Sequence, residues 1–336
     1  MALTEFREWW YADAHAPSPA AIEAMKSAAA NDASAKAWLA LAVGSKLLDY
    51  PISGSDLLKE AADAGNPLAR AVLGREYVRG AIEGGTPVDG LKLMQSACES
   101  GNADAAQWLG ELYLTGYKDL VQIDYARAAQ YFDLARERGF LAGRAKSALA
   151  HLHLGEAETA RSLLEEGAQR GDLEAQAMLV RWLFTGTGVR RDTARATALA
   201  RQWADKNDYV AGQLGAYYLE STDVEQISGE QILDLLNRGS RSGDTTAALM
   251  LADCLLYGVN ECPPSPKLAI ELYTKLAERG NAAASFHLGR LFLEGTVFDR
   301  DLGKASEYLR KSAASGHWQA RGLLRQIDEE RTPVLK

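Results

Sequence analysis

Residues 280–315 read GNAAASFHLGRLFLEGTVFDRDLGKASEYLRKSAAS. A Gly-Asn pair opens the stretch. Ala284 stands four residues on, Leu288 and Gly289 eight and nine, Phe292 twelve, and a second glycine, Gly295, fifteen. Spacings of three and four put the larger of these on one face of a helix. A second amphipathic run follows Asp301 and stops where the next glycine, Gly316, begins. The same grammar governs 65–100, through Ala69, Leu73, Gly74, Tyr77 and Gly80. It governs 101–138 through Ala105, Leu109, Gly110, Tyr113 and Gly116.

The opening pair recurs along the chain as Gly65-Asn66, Gly101-Asn102, Gly171-Asp172, Gly243-Asp244 and Gly280-Asn281. Gly139-Phe140 and Gly316-His317 hold the same place, and Asn207-Asp208 fills the remaining gap. The steps are 36, 38, 32, 36, 36, 37 and 36 residues. A period of this length means stacked supersecondary units rather than one core. It also accommodates 336 residues, a length at which a single core becomes uncommon.

Each position of the unit has a physical reason. Small Ala and the Gly after Leu let a first helix, A, approach its partner, B. The Leu and the aromatic fill the space between hairpins. The second Gly can take positive φ and end helix A. Asp89, Asp124, Asp192 and Asp301 are expected to cap B helices. Ser265-Pro266 reads as cap plus first-turn proline, Ser228 with Gln231 as a capping box, and Ser18-Pro19 as another helix start. Helix B ends at the next Gly, whose Asn or Asp neighbour starts the following helix A.

The pattern A-x-x-x-L-G-x-x-Y-x-x-G, then Asp, then K-A-x-x-Y-x-x-A-A-x-x-G-[ND], resembles Sel-1-like repeats, a branch of the tetratricopeptide-like helical-hairpin superfamily. The last unit, with LGRLFLEG, Asp301 and GKASEYLRKSAASG, is the closest match, and the resemblance runs over about 31–325. Tetratricopeptide repeats proper have a period of 34 and a shorter turn between A and B than TGTGVRRD at 185–192. The resemblance implies an all-α, right-handed superhelical solenoid of stacked antiparallel helix-turn-helix repeats, with A helices on the concave side. The expected organisation is capping helices over 1–32, about eight hairpins over 33–316, and a capping helix and tail over 317–336. Three units depart from the pattern. The first hairpin has Leu39-Ala40 in place of Leu-Gly, the unit at Gly139 is cut down to LGEAET in its turn, and Leu214, Gly215 and Tyr218 fall one residue out of register.

A net charge of −8 and pI near 5.3 argue against a phosphate-tracking surface. Arg190-Arg191 and Arg195 read as a solvated loop and helix face. No apolar run is long enough to span a bilayer. The N-terminus, MALTEFREWWYADAHA, carries acids and no apolar core segment, so it is not a secretory signal. The chain as written is expected in the cytoplasm, or in the periplasm if a signal peptide has been removed. Three cysteines, Cys98, Cys254 and Cys262, do not make a disulfide framework. Cys98 reads as a core residue, and a bridge between Cys254 and Cys262 is left open. Some Sel-1-like proteins staple each repeat with cysteines eight residues apart. Here Ala106 stands where the partner of Cys98 would be, so the activities proposed for that class gain no support.

No G-x-S-x-G, P-loop, H-E-x-x-H or C-x-x-C motif is present. His15, His151, His153, His287 and His317 form no ligand pattern, and no cofactor or metal is expected. Trp38, Trp108, Trp182 and Trp318 are expected to pack between helices, whereas Trp9 and Trp10 are candidates for an aromatic anchor, since neighbours on a helix cannot both face one core. By tetratricopeptide analogy, groove-facing positions on helix A include Arg75, Arg79, Glu111, Leu114, Arg181, Tyr217, Arg290 and Glu294. Such a mixed, Arg-bearing groove suits a protein or acidic peptide. The leading expectation is a non-enzymatic scaffold or adaptor for protein–protein interaction, one form of which is a bacterial immunity protein neutralising a toxin or secreted effector. The alternatives are a hydrolase with a site in the groove and a periplasmic or envelope-assembly scaffold.

Overall fold

The computed structural model describes residues 2–12, 16–140, 143–220, 227–259 and 262–331, without the side chains of 3, 10–12 and 331. Among them the chain is helical throughout. Two isolated β-bridges, Tyr117 with Val121 and Val259 with Cys262, lie inside turns. The chain divides into two compact units, Met1–Ala175 and Gln176–Lys336.

The first unit opens with α1 (Ala2–Ala12) and α2 (Pro19–Ala28). Its hairpins are α3 (Ala33–Gly44) with α4 (Gly54–Asp63), α5 (Pro67–Arg79) with α6 (Pro87–Glu99), α7 (Ala103–Thr115) with α8 (Tyr125–Glu137), and α9 (Arg144–His153) with α10 (Ala157–Gln169). Helix α11 (Leu173–Thr185) starts at its end. The second unit holds the rest of α11 and α12 (Thr193–Trp203). It continues with α13 (Asp208–Glu220) and α14 (Gly229–Arg241), α15 (Thr245–Tyr257) and α16 (Pro266–Glu278), α17 (Ala282–Glu294) and α18 (Leu302–Ala314), and closes on α19 (Trp318–Arg331). In each unit, successive A helices touch one another, as in α3–α5, α5–α7, α7–α9 and α13–α15. The A helices are therefore the inner row of each unit.

The joints between hairpins set this stacking. Gly65 and Gly101 adopt φ +86° and +91°, where an L side chain is strained. That turn lets Asn66 N bond Ala61 O and Asn102 N bond Ala97 O, closing the last turn of α4 and α6 in Schellman fashion. The asparagine oxygens then accept from Ala69 N (2.9 Å) and Ala105 N (2.7 Å), capping α5 and α7. Such a cap contributes about 1 kcal/mol. Asp172, Asp244 and Asn281 do the same for α11, α15 and α17.

The joint near 207 corrects the sequence reading. Asn207 is not the glycine equivalent but the cap, accepting from Val210 N. Lys206 holds the glycine slot, and counted from it Leu214, Gly215 and Tyr218 fall in register. Lysine does not enter the left-handed region here. Instead Lys206 N and Asn207 N both return to Trp203 O, a tighter ending than at the glycine joints.

Of the expected B-helix caps, Asp124, Asp192 and Asp301 accept from the first turns of α8, α12 and α18. Asp89 does not cap. Thr86 caps α6, and Asp89 answers it from the third position of a capping box. Ser228 and Gln231 form the second box, and Ser18 caps α2. Ser265 precedes Pro266 at the start of α16 without a side-chain cap bond.

The Gly after Leu works as the spacing implied. A Cβ on Gly74 would lie 2.6 Å from the Gly90 carbonyl oxygen and 2.8 Å from Met94 Cγ. On Gly110 and Gly289 it would meet Phe132 and Leu309. The aromatics Tyr77, Tyr113 and Phe292 are buried, as are Leu73, Leu109 and Leu288. Gly74→Ala is expected to destabilise the protein by about 1–3 kcal/mol, because backbone must move. Gly322→Ala, in mid-α19 with nothing within 4 Å of the new methyl, is expected to stabilise by up to about 1 kcal/mol. Urea unfolding of both variants checks the pair, and equal shifts would refute the close-approach role of Gly74.

Candidate functional site

In the first unit, four groove-facing expectations lie on α5 and α7. Arg75 is half-buried. Its guanidinium lies 4.2 Å over the Trp108 ring and 3.0 Å from Glu76 Oε1. Glu111 receives Lys146 Nζ from α9 and Gln107 Nε2 from its own helix. Leu114 is half-buried against the cluster of Tyr113, Val121 and Ala128. Arg79 is exposed at the end of α5 and has no ion pair among the described residues. Glu174, at the start of α11, joins this inner face. Its side chain reaches solvent, yet surrounding protein raises its carboxyl above the usual range, with Lys146 opposing and Asp172 and Glu111 adding.

In the second unit, Arg181 is exposed and bonded to Tyr209. Tyr217 is half-buried and stacks on Phe184 of α11 (centroids 4.9 Å), so it packs neighbouring A helices together. Arg290 bonds the hydroxyl of Tyr257 and lies 3.3 Å from Glu294 Oε1. Two residues not singled out in the sequence join this face. Tyr257 is 60% exposed. Asp253 accepts from the buried Tyr273 hydroxyl. Asp253 lies two residues after Leu251, as Arg290 lies two after Leu288, but Ala252 replaces the Gly that marks the position elsewhere.

The tryptophans divide differently from expectation. Trp38 and Trp182 are buried, and Trp108 is covered by Arg75. Trp9 meets Phe6 edge-on at 6.2 Å and packs against the first core cluster. The side chain of Trp10 lies outside the described residues, as does His15. Trp318 does not pack inward. It opens α19 and is 77% exposed, because Ala320 and Ile327 take the buried face of that helix.

All three cysteines are free thiols. Burial, with Asp253 adding, pushes the Cys254 thiol up to about 11, so it carries no thiolate for nucleophilic work near neutrality. No group of three or more His, Cys, Asp or Glu side chains converges on a metal site among the described residues. No described helix is long and apolar enough to cross a membrane.

His287 stacks on Tyr273 at 5.1 Å and meets Phe286 edge-on. Its Nδ1 lies 3.8 Å from Asp253 Oδ1. Burial lowers its pKa below 6.5, Asp253 opposes, and Arg290 and His317 reinforce the lowering. The fold thus favours the neutral ring. Its contribution to stability is present above 6.5 and is lost as pH falls from there toward the depressed folded value, because the unfolded chain takes the proton first. The urea midpoint is expected to fall between about pH 7 and pH 5.5, and His287→Gln is expected to flatten part of that slope. Parallel profiles for the two proteins would refute this.

The chain matches the Sel1 repeat family over residues 67–102, 103–140, 173–208, 245–281 and 282–317. Each match begins at the first residue of an A helix, α5, α7, α11, α15 or α17. The hairpins α3/α4, α9/α10 and α13/α14 lie largely outside. No curated protein matches significantly. Among solved structures, the chain is similar to c5321, a protective antigen present in uropathogenic Escherichia coli strains and displaying an SLR fold. The TM-score is 0.59 at 25% identity, over 91% of this chain and 67% of that one. It is also similar in fold to a Sel1 repeat protein from Oxalobacter formigenes, with a TM-score of 0.58 at 21% identity, over 97% and 93% of the two chains. With five matched repeats spanning more than half its length, and solved Sel1 repeat proteins sharing its stacked hairpins, the chain belongs to the Sel1 repeat family.

Proposed function

We propose that this protein is a non-enzymatic scaffold that binds a protein partner on the inner row of A helices. The Sel1 family is a protein-interaction scaffold type. The observation that carries the reading for this chain is that polar and aromatic side chains recur at equivalent places on successive A helices, each held by an internal partner. Arg75 rests on Trp108, Glu111 on Lys146, and Arg290 on Tyr257. Long side chains already fixed lose less entropy when a partner docks, which favours binding. Exposed pairs of this kind contribute only about 0–1 kcal/mol each to folding, so stability alone is a weak reason for the row. In its specific form, the partner is a toxin or secreted effector and binding neutralises it.

Affinity purification of the tagged protein from native lysate, with mass spectrometry of the eluate, tests the reading. One protein is expected to co-elute with wild type and to fall at least about tenfold with Arg181→Glu plus Arg290→Glu, a loss of one or two charged contacts. Far-ultraviolet circular dichroism should be unchanged. Equal recovery on the variant overturns the inner-row site. A co-eluting protein without toxicity when expressed alone overturns the neutralising role.

A further inference from the structure

The first unit carries a second surface, set apart from the inner row. Its joints fall one above another, so the starts of α3, α5 and α7 and the turn at 138–140 line one edge. A groove of about 680 Å3 runs along that edge, within the size of ligand clefts, about 300–1,000 Å3. Its apolar part comes from Trp38, Leu68 and Phe140.

The polar part is rich in donors. Arg7 of α1 is exposed and has no ion pair among the described residues. Arg138, at the end of α8, uses Nη1 on the Cys98 carbonyl oxygen (2.7 Å) and leaves Nε and Nη2 without a partner among the described residues. Asn102 uses its oxygen to cap α7, and its amide N–H groups have no partner among the described residues. Asn66, by contrast, uses both ends, capping α5 and donating to Ser34. The positive ends of α5 and α7 add to the same field. Asp104 is the one carboxylate of the lining. It is buried at the first turn of α7 and engaged within the protein. Two guanidiniums and an unpaired amide beside apolar side chains contrast with a chain whose net charge is −8.

We propose that this joint-edge groove binds an extended acidic peptide segment, its carboxylates taken by Arg7, Arg138 and the Asn102 amide and an apolar side chain resting on Leu68 and Phe140. The segment belongs to another protein, and the site does not depend on the inner-row reading. Guanidinium and amide donors pair well with carboxylate, and the apolar floor sets the groove apart from a bare cationic patch.

A random heptapeptide library displayed on phage and panned on the full chain tests it. Enriched sequences should combine Asp or Glu with a large apolar residue. Synthesised with a fluorescent label, they should bind by anisotropy at about 150 mM salt, where loose surface attraction is screened. Asn102→Asp keeps the cap oxygen and replaces the amide donor with a carboxylate oxygen. Arg7→Glu reverses a charge that supports no other contact. Each should weaken binding about tenfold or more with the urea midpoint unchanged. Failure to enrich any peptide, enrichment of peptides without acidic residues, or wild-type affinity in both variants overturns the proposal.

Discussion

The stacking in this protein depends on ending one helix and starting the next within a few residues, three at most joints. A helix leaves four carbonyls unpaired at its end and four N–H groups at its start. At five of the glycine joints, positive φ turns the chain back on the finished helix, and the adjacent Asn or Asp supplies an oxygen to the new one. Nothing longer than this pair is needed, so successive hairpins stay in contact. A carbonyl two or three residues before the joint is a further anchor. Arg138 reaches Cys98 O, Arg70 reaches Ala62 O and Arg238 reaches Ala204 O, each placing positive charge at the negative end of a helix.

The joint also shows how much tolerance the design has. Lys206 does without left-handed geometry because its helix ends one residue earlier, at Trp203, and Asn207 still caps α13. The hairpin after it keeps its Leu-Gly contact, with Gly215 against Leu235 and Leu236. The close approach is therefore a stricter requirement than the joint glycine. The same ranking explains why the first hairpin packs well with Ala40 after Leu39, since a second close contact is supplied by Gly54 against Ala40 and Gly44.

Function follows from the two surfaces that this stacking exposes. The inner row gathers polar and aromatic side chains from most A helices and holds several of them by mutual contact. The joint edge gathers helix starts, with their unspent N–H groups and capping side chains. Arg75, Glu111 and Arg290 were legible because they sit at a fixed distance from Leu-Gly. Asp253 and Tyr257 were not, because Ala252 hides the marker. Arg7, Asn102 and Arg138 carry no shared motif at all. They come from three elements, and only the stacking of joints brings them to one groove.

The sequence by itself determined the architecture. A period near 36 residues, a small residue at the close approaches and a capping side chain at most starts are local requirements, and local requirements are written in local residues. Tertiary structure decided which side chains are free. Trp318 and Trp182 read alike in the sequence, yet one is exposed and the other buried, because burial depends on which face of a helix its neighbours cover. It also decided that the groove arginines are held by Trp108, Tyr209 and Tyr257, contacts made between helices about one repeat apart, where spacing within a repeat says nothing about what stands opposite.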